Sequence, residues 1–216
     1  MYSLRMKTIS SLLDKDDSVL DIGTDHALIP IYLIKNNLVK LAHGSDISNA
    51  VLKGAISNVE NASLEDKIKL FLSDGVKSVD TTSYNTFIIT GMGFTTIKNI
   101  LDNASLENID KLIIQSNNNL YDLRKYINHL GYKIADEICI KDKEISYNII
   151  KFVKGNEELS ETELNCGKFD TKNIWSYKEN LSILENILTK VTDLNRKKEL
   201  ENLINYYKEY ISKEKI

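Results

Sequence analysis

The residues best suited to chemistry lie at the ends of apolar runs. The run Val19-Leu20-Asp21-Ile22 stops at Gly23 and passes at once into Thr24-Asp25-His26-Ala27 and a helix-like pattern. A strand that ends at a glycine and turns into a helix N-terminus is how an open α/β sheet makes a ligand crevice. Gly23 has no Cβ, so backbone can approach a ligand closely there. The next apolar run, Leu41-Ala42-His43-Gly44-Ser45, ends in Asp46-Ile47. A carboxylate at that position can accept both hydroxyls of a ribose. A glycine turn followed by a ribose acid is the order expected of an adenosine-containing cofactor.

Three later strand ends carry similar signatures: Ser73-Asp74-Gly75, Gly91-Met92-Gly93 and Gln115-Ser116-Asn117. In an open α/β sheet the carboxyl ends of parallel strands face one crevice, so these groups converge. Any one of them alone is an ordinary strand-to-helix turn. A nicotinamide dehydrogenase is disfavoured, because Gly23 stands alone where that fingerprint needs three glycines. Asp25 instead puts a carboxylate near the cofactor, where it would attract a cationic sulfonium. The alternative is that Asp25 caps the helix that begins at Ala27.

The elements that must position these groups alternate along the chain. Leu4–Leu13 reads as a short amphipathic helix, followed by a strand at Ser18–Ile22 and a helix at Ala27–Asn36. The only proline, Pro30, falls in that helix's first turn, where it is tolerated. A strand at Leu41–Asp46 precedes a helix at Asn49–Asn61 with Ser48 as its N-cap. Strands follow at Ile68–Leu72, Phe87–Thr90 and Lys111–Gln115. A helix at Phe94–Ala104 separates the last two, and a helix at Leu120–Leu130 stops at Gly131. Tyr132–Ile140 and Ser146–Val153 read as adjacent strands joined by a turn at Asp142-Lys143, so they must be antiparallel. Alternation predicts a mostly parallel sheet with one reversed strand. This is the architecture of class I methyltransferases that use S-adenosylmethionine, an α/β Rossmann-like fold.

The expected organisation is a cofactor-binding domain over residues 1–155, a polar linker or covering loop over 156–171, and a helical hairpin over 172–216. In the last segment Ile174, Tyr177, Leu181, Leu184, Leu188 and Val191 keep three- and four-residue spacing. The pattern breaks at Thr192-Asp193, where either residue would cap a second helix, and resumes at Leu200, Leu203, Tyr207 and Tyr210. This coiled-coil-like seam predicts an antiparallel hairpin. One long dimerising helix is the alternative.

The chain has 216 residues, 42% apolar and 27% charged, ordinary for a soluble globular protein. It has no bilayer-length apolar run, and Met1-Tyr2-Ser3-Leu4-Arg5 lacks a signal-peptide core, so no membrane role is expected. Cys139 and Cys166, with His26, His43 and His129, are scattered and predict neither a disulfide framework nor a metal site. A cytoplasmic location and a monomer are expected. The net charge of −3 excludes a strongly basic nucleic-acid binder. Residues 170–216 hold nine Lys/Arg against eight Asp/Glu, while the remainder holds nineteen against twenty-three. Contact with nucleic acid would have to come from a local patch.

Asp21-Ile22-Gly23-Thr24-Asp25-His26-Ala27 resembles the Asp-Ile-Gly-Ser-Asp-His-Ala motif of the bacterial TrmK family. Ser73-Asp74-Gly75, Gly91-Met92-Gly93 and Gln115-x-Asn117 are similar to its later motifs, and the strand pair and terminal hairpin extend the resemblance over nearly the whole chain. The family methylates N1 of adenine 22 in the D arm of tRNA with S-adenosylmethionine, so the resemblance implies that activity, that cofactor and tRNA as partner. It implies that Asp46 holds the cofactor ribose and Asp74 its adenine amino group. Asp21, Gly23, Asp25, Ile47, Gly75, Gly91, Met92 and Gly93 complete the expected cofactor site. Asp25, His26 and Asn117 are the catalytic candidates: Asp25 to stabilise charge on the methylated ring, His26 to orient Asp25 or take a proton, Asn117 to hydrogen-bond the base. Adenine N1 lies on the pairing edge, so a paired or stacked target must be extruded. Two departures stand out. Phe94 replaces the family's usual glycine, and Ser116 replaces its usual proline, which would loosen that loop. Other substrates for the same fold, or a non-catalytic cofactor- or RNA-binding module, remain the alternatives.

Overall fold

The computed structural model describes residues 2–215. In chain order the elements are α1 (Leu4–Ser11), β1 (Ser18–Ile22), α2 (Leu28–Lys35), β2 (Leu41–Asp46), α3 (Asn49–Asn61), β3 (Leu70–Leu72), β4 (Thr86–Met92), α4 (Phe94–Asp102), β5 (Lys111–Ser116), α5 (Leu120–His129), β6 (Tyr132–Asp142), β7 (Ile145–Lys154), α6 (Glu161–Cys166), α7 (Ile174–Leu188) and α8 (Leu194–Ser212). The seven strands form one sheet in the order β3-β2-β1-β4-β5-β7-β6. The strands from β1 to β5 run parallel, and β7 is antiparallel to both β5 and β6. This is the reversed-strand sheet expected from the alternation.

The central strands form because their apolar runs are buried on both faces, as parallel sheets require. Successive residues point to opposite sides. Leu20, Phe87, Ile89, Leu112 and Ile114 pack with α4 and α5 through Ile97, Leu101, Leu123 and Ile127. Val19, Ile88 and Ile113 pack on the other face with Ile9, Leu12 and Leu33 of the α1–α2 side. The sheet therefore sits between two helical layers, and its carboxyl-end loops are left free to line a crevice.

Several boundaries shift. The expected strand from Ile68 begins only at Leu70, because Ile68 N–H closes a turn onto Leu64 O and its side chain packs under α3. β4 runs on to Met92, and α4 ends at Asp102 rather than Ala104. The β6–β7 turn moves one residue on, to Lys143-Glu144, with Lys143 in the left-handed region. The segment 156–171 carries α6, fixed by a capping box in which Ser160 and Glu163 satisfy each other's backbone N–H.

The C-terminal helices α7 and α8 pack antiparallel: Lys178 near the start of α7 pairs with Glu214, and Lys208 late in α8 pairs with Glu185. Asp193 caps α8 by accepting from Arg196 N–H at 2.8 Å. The base of the pair is held by Ile174, Tyr177, Tyr210 and Cys166. Farther out, the seam residues Leu181, Leu184, Leu188 and Val191 are only half-buried. Ile216 lies outside the described residues.

The pair is tied to the sheet by polar groups. Asn173 accepts from Cys139 N–H (2.9 Å) and donates to Glu137 O (2.8 Å) on the edge strand β6. Tyr210 donates to Gly167 O at 2.7 Å. Arg124 of α5, fully buried, donates to both carboxylate oxygens of buried Glu137 (2.6 and 3.3 Å) and to the carbonyls of Leu164 and Asn165. Among the described residues no helix is long and apolar enough to cross a membrane.

Candidate active site

The loop after β1 is shaped by its backbone. Gly23 and Thr24 N–H both donate to Ser45 O, at 2.8 and 2.9 Å. Gly23 (φ 74°) is left-handed, and so are Asp25 (φ 53°) and Ala27 (φ 56°). Left-handed conformations in residues other than glycine cost free energy and cluster at functional sites. A Cβ on Gly23 would collide with the Met92 methyl group, which lies directly over it. Met92 thus stands at the junction of two clefts that share Gly23 and Asp46.

The first cleft, a cavity of about 400 Å³, is lined by Ile22, Gly23, Asp46, Ile47, Asp74, Gly75 and Met92, with Lys77 and helix α4 opposite. The second, about 470 Å³, is lined by Asp21, Gly23, Asp25, His26, Asp46, Gly91 and Met92, with Arg5 and Met6 of α1 opposite. Both lie within the roughly 300–1,000 Å³ usual for small-molecule sites. Asp46 stands between them: one carboxylate oxygen accepts from Ser48 N–H (2.9 Å), the other from Asp25 N–H (3.3 Å). Those bonds fix its orientation and leave lone pairs free. Asp74 is exposed and pairs with Lys77 at 2.5 Å.

Asp21 is 2% exposed, and Thr24 Oγ1 donates to it at 2.7 Å. Burial pushes its carboxyl up to about 7, more than the Thr24 hydrogen bond and the charge of Arg5 lower it. Asp25 is exposed and stands 3.7 Å from His26 Nε2. It does not cap α2: the N-cap position is Ala27, with no side-chain cap bond.

Asn117 and Gly93 depart from expectation. Gln115, buried at the end of β5, accepts from Gly91 N–H (3.1 Å) and from Arg5 (3.4 Å), and donates to Asn117 Oδ1 (2.9 Å). Asn117 donates in turn to Gly91 O at 2.8 Å. The Asn117 amide thereby holds Gly91 (φ 80°), and Asn117 lines neither of these two clefts but a third cavity beside them. Gly93 lines neither cleft and is the N-cap of α4. Phe94 lines neither; it packs edge-on against Tyr126 at 6.0 Å. The Ser116 hydroxyl donates to Asn118 O at 2.7 Å, so it pins the loop that loss of proline was expected to loosen.

Sequence reading missed Arg5 and Thr24. Thr24 lay inside the quoted motif. Arg5 sits on a helix before the first strand, and no local spacing marks it as a cleft residue.

A reversed-strand α/β sheet whose strand ends supply glycine turns and a ribose-type acid defines a class I methyltransferase fold. A family described as "Methyltransferase domain" matches residues 2–150. The Mycoplasma genitalium protein named "Putative tRNA methyltransferase MG248" is 33% identical over 155 residues, 69% of each chain. The tRNA (adenine(22)-N(1))-methyltransferase of Bacillus subtilis is 25% identical over 160 residues, 73% of this chain and 67% of that one. The structure of M. capricolum TrmK in complex with S-adenosyl-homocysteine is 32% identical, with a TM-score of 0.86 and 98% of both chains covered. The chain belongs to the methyltransferase-domain family and, within it, to the TrmK group of tRNA methyltransferases.

Proposed function

We propose that this protein transfers the methyl group of S-adenosylmethionine to N1 of adenine 22 in the D arm of tRNA. The observation that carries the reading is the pair of clefts meeting at Gly23, Asp46 and Met92, on a chain that aligns end to end with a TrmK bound to its cofactor product.

S-adenosylmethionine supplies an activated methyl group on a sulfonium. This chain's own residues bind and align it. Asp46 accepts the ribose hydroxyls, and Asp74 with Ile47 holds the adenine in the first cleft. Gly23, Gly75 and Gly91 allow backbone to lie against the cofactor, with Met92 between the clefts. Asp21, an acid lining the second cleft, complements the ammonium of the methionine end. Transfer is an in-line displacement, so alignment and electrostatic placement are the main tasks. Methylated adenine carries positive charge until its exocyclic amine loses a proton; the Asp25 carboxylate stabilises that charge, and His26 orients it. Asn117 and Gln115 act one step back, holding the Gly91 backbone, and Gly93 starts the helix behind it.

Unmodified tRNA incubated with labelled S-adenosylmethionine should take up label, and tRNA with guanine at position 22 should not. Equal labelling of both would reject the site assignment.

A further inference from the structure

The loop after β5 and the β6–β7 hairpin enclose a third cavity, of about 550 Å³. Among the described residues its lining contains no Asp, Glu, Lys, Arg or His, on a chain that is 27% charged. Asn118, Asn119, Asn148 and Ser146 supply amides and a hydroxyl, and Tyr121 and Tyr147 supply rings. The wall is braced from outside: Tyr121 and Ser146 donate to Glu161 and Glu179, and Cys139 donates to Asn148 Oδ1, which leaves the Asn148 amide hydrogens free. Amides present donors and acceptors together, as the edge of a nucleobase does, and tyrosine rings match its faces. A neutral wall gives no charge partner to an ionic ligand.

The rim is charged. Arg5 lies over the Tyr147 ring at 5.2 Å and Lys125 over the Tyr121 ring at 5.8 Å. Neither cation makes an ion pair among the described residues. The carboxylates nearby are held behind the wall, Glu161 by the Tyr121 hydroxyl and Glu179 by Ser146 and Lys141, so a neutral bowl with two cations over its tyrosine rings suits one nucleotide of a polyanionic strand, with its base in the bowl and its phosphates at the rim. The bowl also shares a wall with the second cleft. Gln115 lines the bowl, Arg5 lines the cleft, and the two side chains touch at 3.4 Å.

From this geometry we infer that the third cavity receives the unpaired base of a nucleotide next to the methylated one, so the enzyme reads a flanking base as well as its target. The inference rests on the functional reading above for the identity of the strand. The test is binding of unmodified tRNA in the presence of S-adenosylhomocysteine. Tyr121→Ala and Asn148→Ala should each weaken binding at least about fivefold, with cofactor affinity unchanged. That penalty should nearly vanish on a tRNA made abasic at the nucleotides flanking position 22. Wild-type protein carries the same test without substitution, because it should bind the abasic tRNA at least about fivefold more weakly. Wild-type binding unaffected by loss of the flanking bases, or variant penalties of equal size on both tRNAs, would overturn the inference. Should the penalties appear on intact tRNA and vanish on the abasic one while no methyl reaches adenine 22, the functional reading falls and the cavity stands only as a pocket for a base beside position 22.

Discussion

Asp46 is the residue on which both clefts turn. Two backbone N–H groups hold its carboxylate, so Asp46→Ala removes a preoriented acceptor. Charged hydrogen bonds contribute about 1.5–3 kcal/mol each, not additively. The variant should bind S-adenosylmethionine at least about tenfold more weakly by calorimetry; unchanged affinity would reject the ribose role. Asp25 does not cap α2, and in the proposed mechanism its charge matters most once the base becomes cationic. Asp25→Ala should lower kcat strongly and leave cofactor Kd nearly unchanged, and near-wild-type turnover would contradict this. Asp21 gives a pH signature. Below about pH 4 an aspartate is protonated both folded and unfolded. From there to about pH 7 only folded Asp21 keeps its proton, so stability falls as pH rises, by up to about 1.4 kcal/mol per pH unit. Above that range its contribution is flat. Scanning calorimetry across pH should show this slope in wild type and its loss in Asp21→Asn. The strand-end acids were legible because their type and position follow from strand and turn rules. Arg5 was not, because only the packing of α1 against the sheet ends brings it there.

At the scale of elements, the parallel strands could be read from their apolar runs, since burial on both faces leaves no polar alternation. β3 was over-read because Ile68 is apolar for packing under α3 rather than for pairing. Helix α6 was missed, although Ser160 and Glu163 stand at capping-box spacing; the segment's polar composition masked them. Nothing local announces the Arg124–Glu137 pair, whose partners lie on α5 and β6 and whose further acceptors lie on α6. Removing one partner of a buried ion pair costs about 3–5 kcal/mol. Arg124→Ala should therefore lower urea stability by that order. Arg124→Met with Glu137→Leu should recover much of the loss, short of the two carbonyls left without a donor. Equal losses in the single and double variants would mean the charge pairing is not the source.

Over the whole molecule, the helical hairpin tied to edge strand β6 is our proposed second contact for tRNA. Its cations are unequal. Lys172, Lys178, Arg196 and Lys208 are engaged in ion pairs, whereas Lys190, Lys197 and Lys198, near the tip, form none among the described residues. Replacing these three with alanine should weaken tRNA binding and flatten its salt dependence, because fewer counterions are released. An unchanged salt slope would confine the hairpin to stability. The central claim is tested most directly by mapping the methylated nucleoside after incubation of unmodified tRNA with the protein and labelled S-adenosylmethionine. The account predicts N1-methyladenosine at position 22; label on another atom or position, or none from folded protein that binds the cofactor, would contradict it.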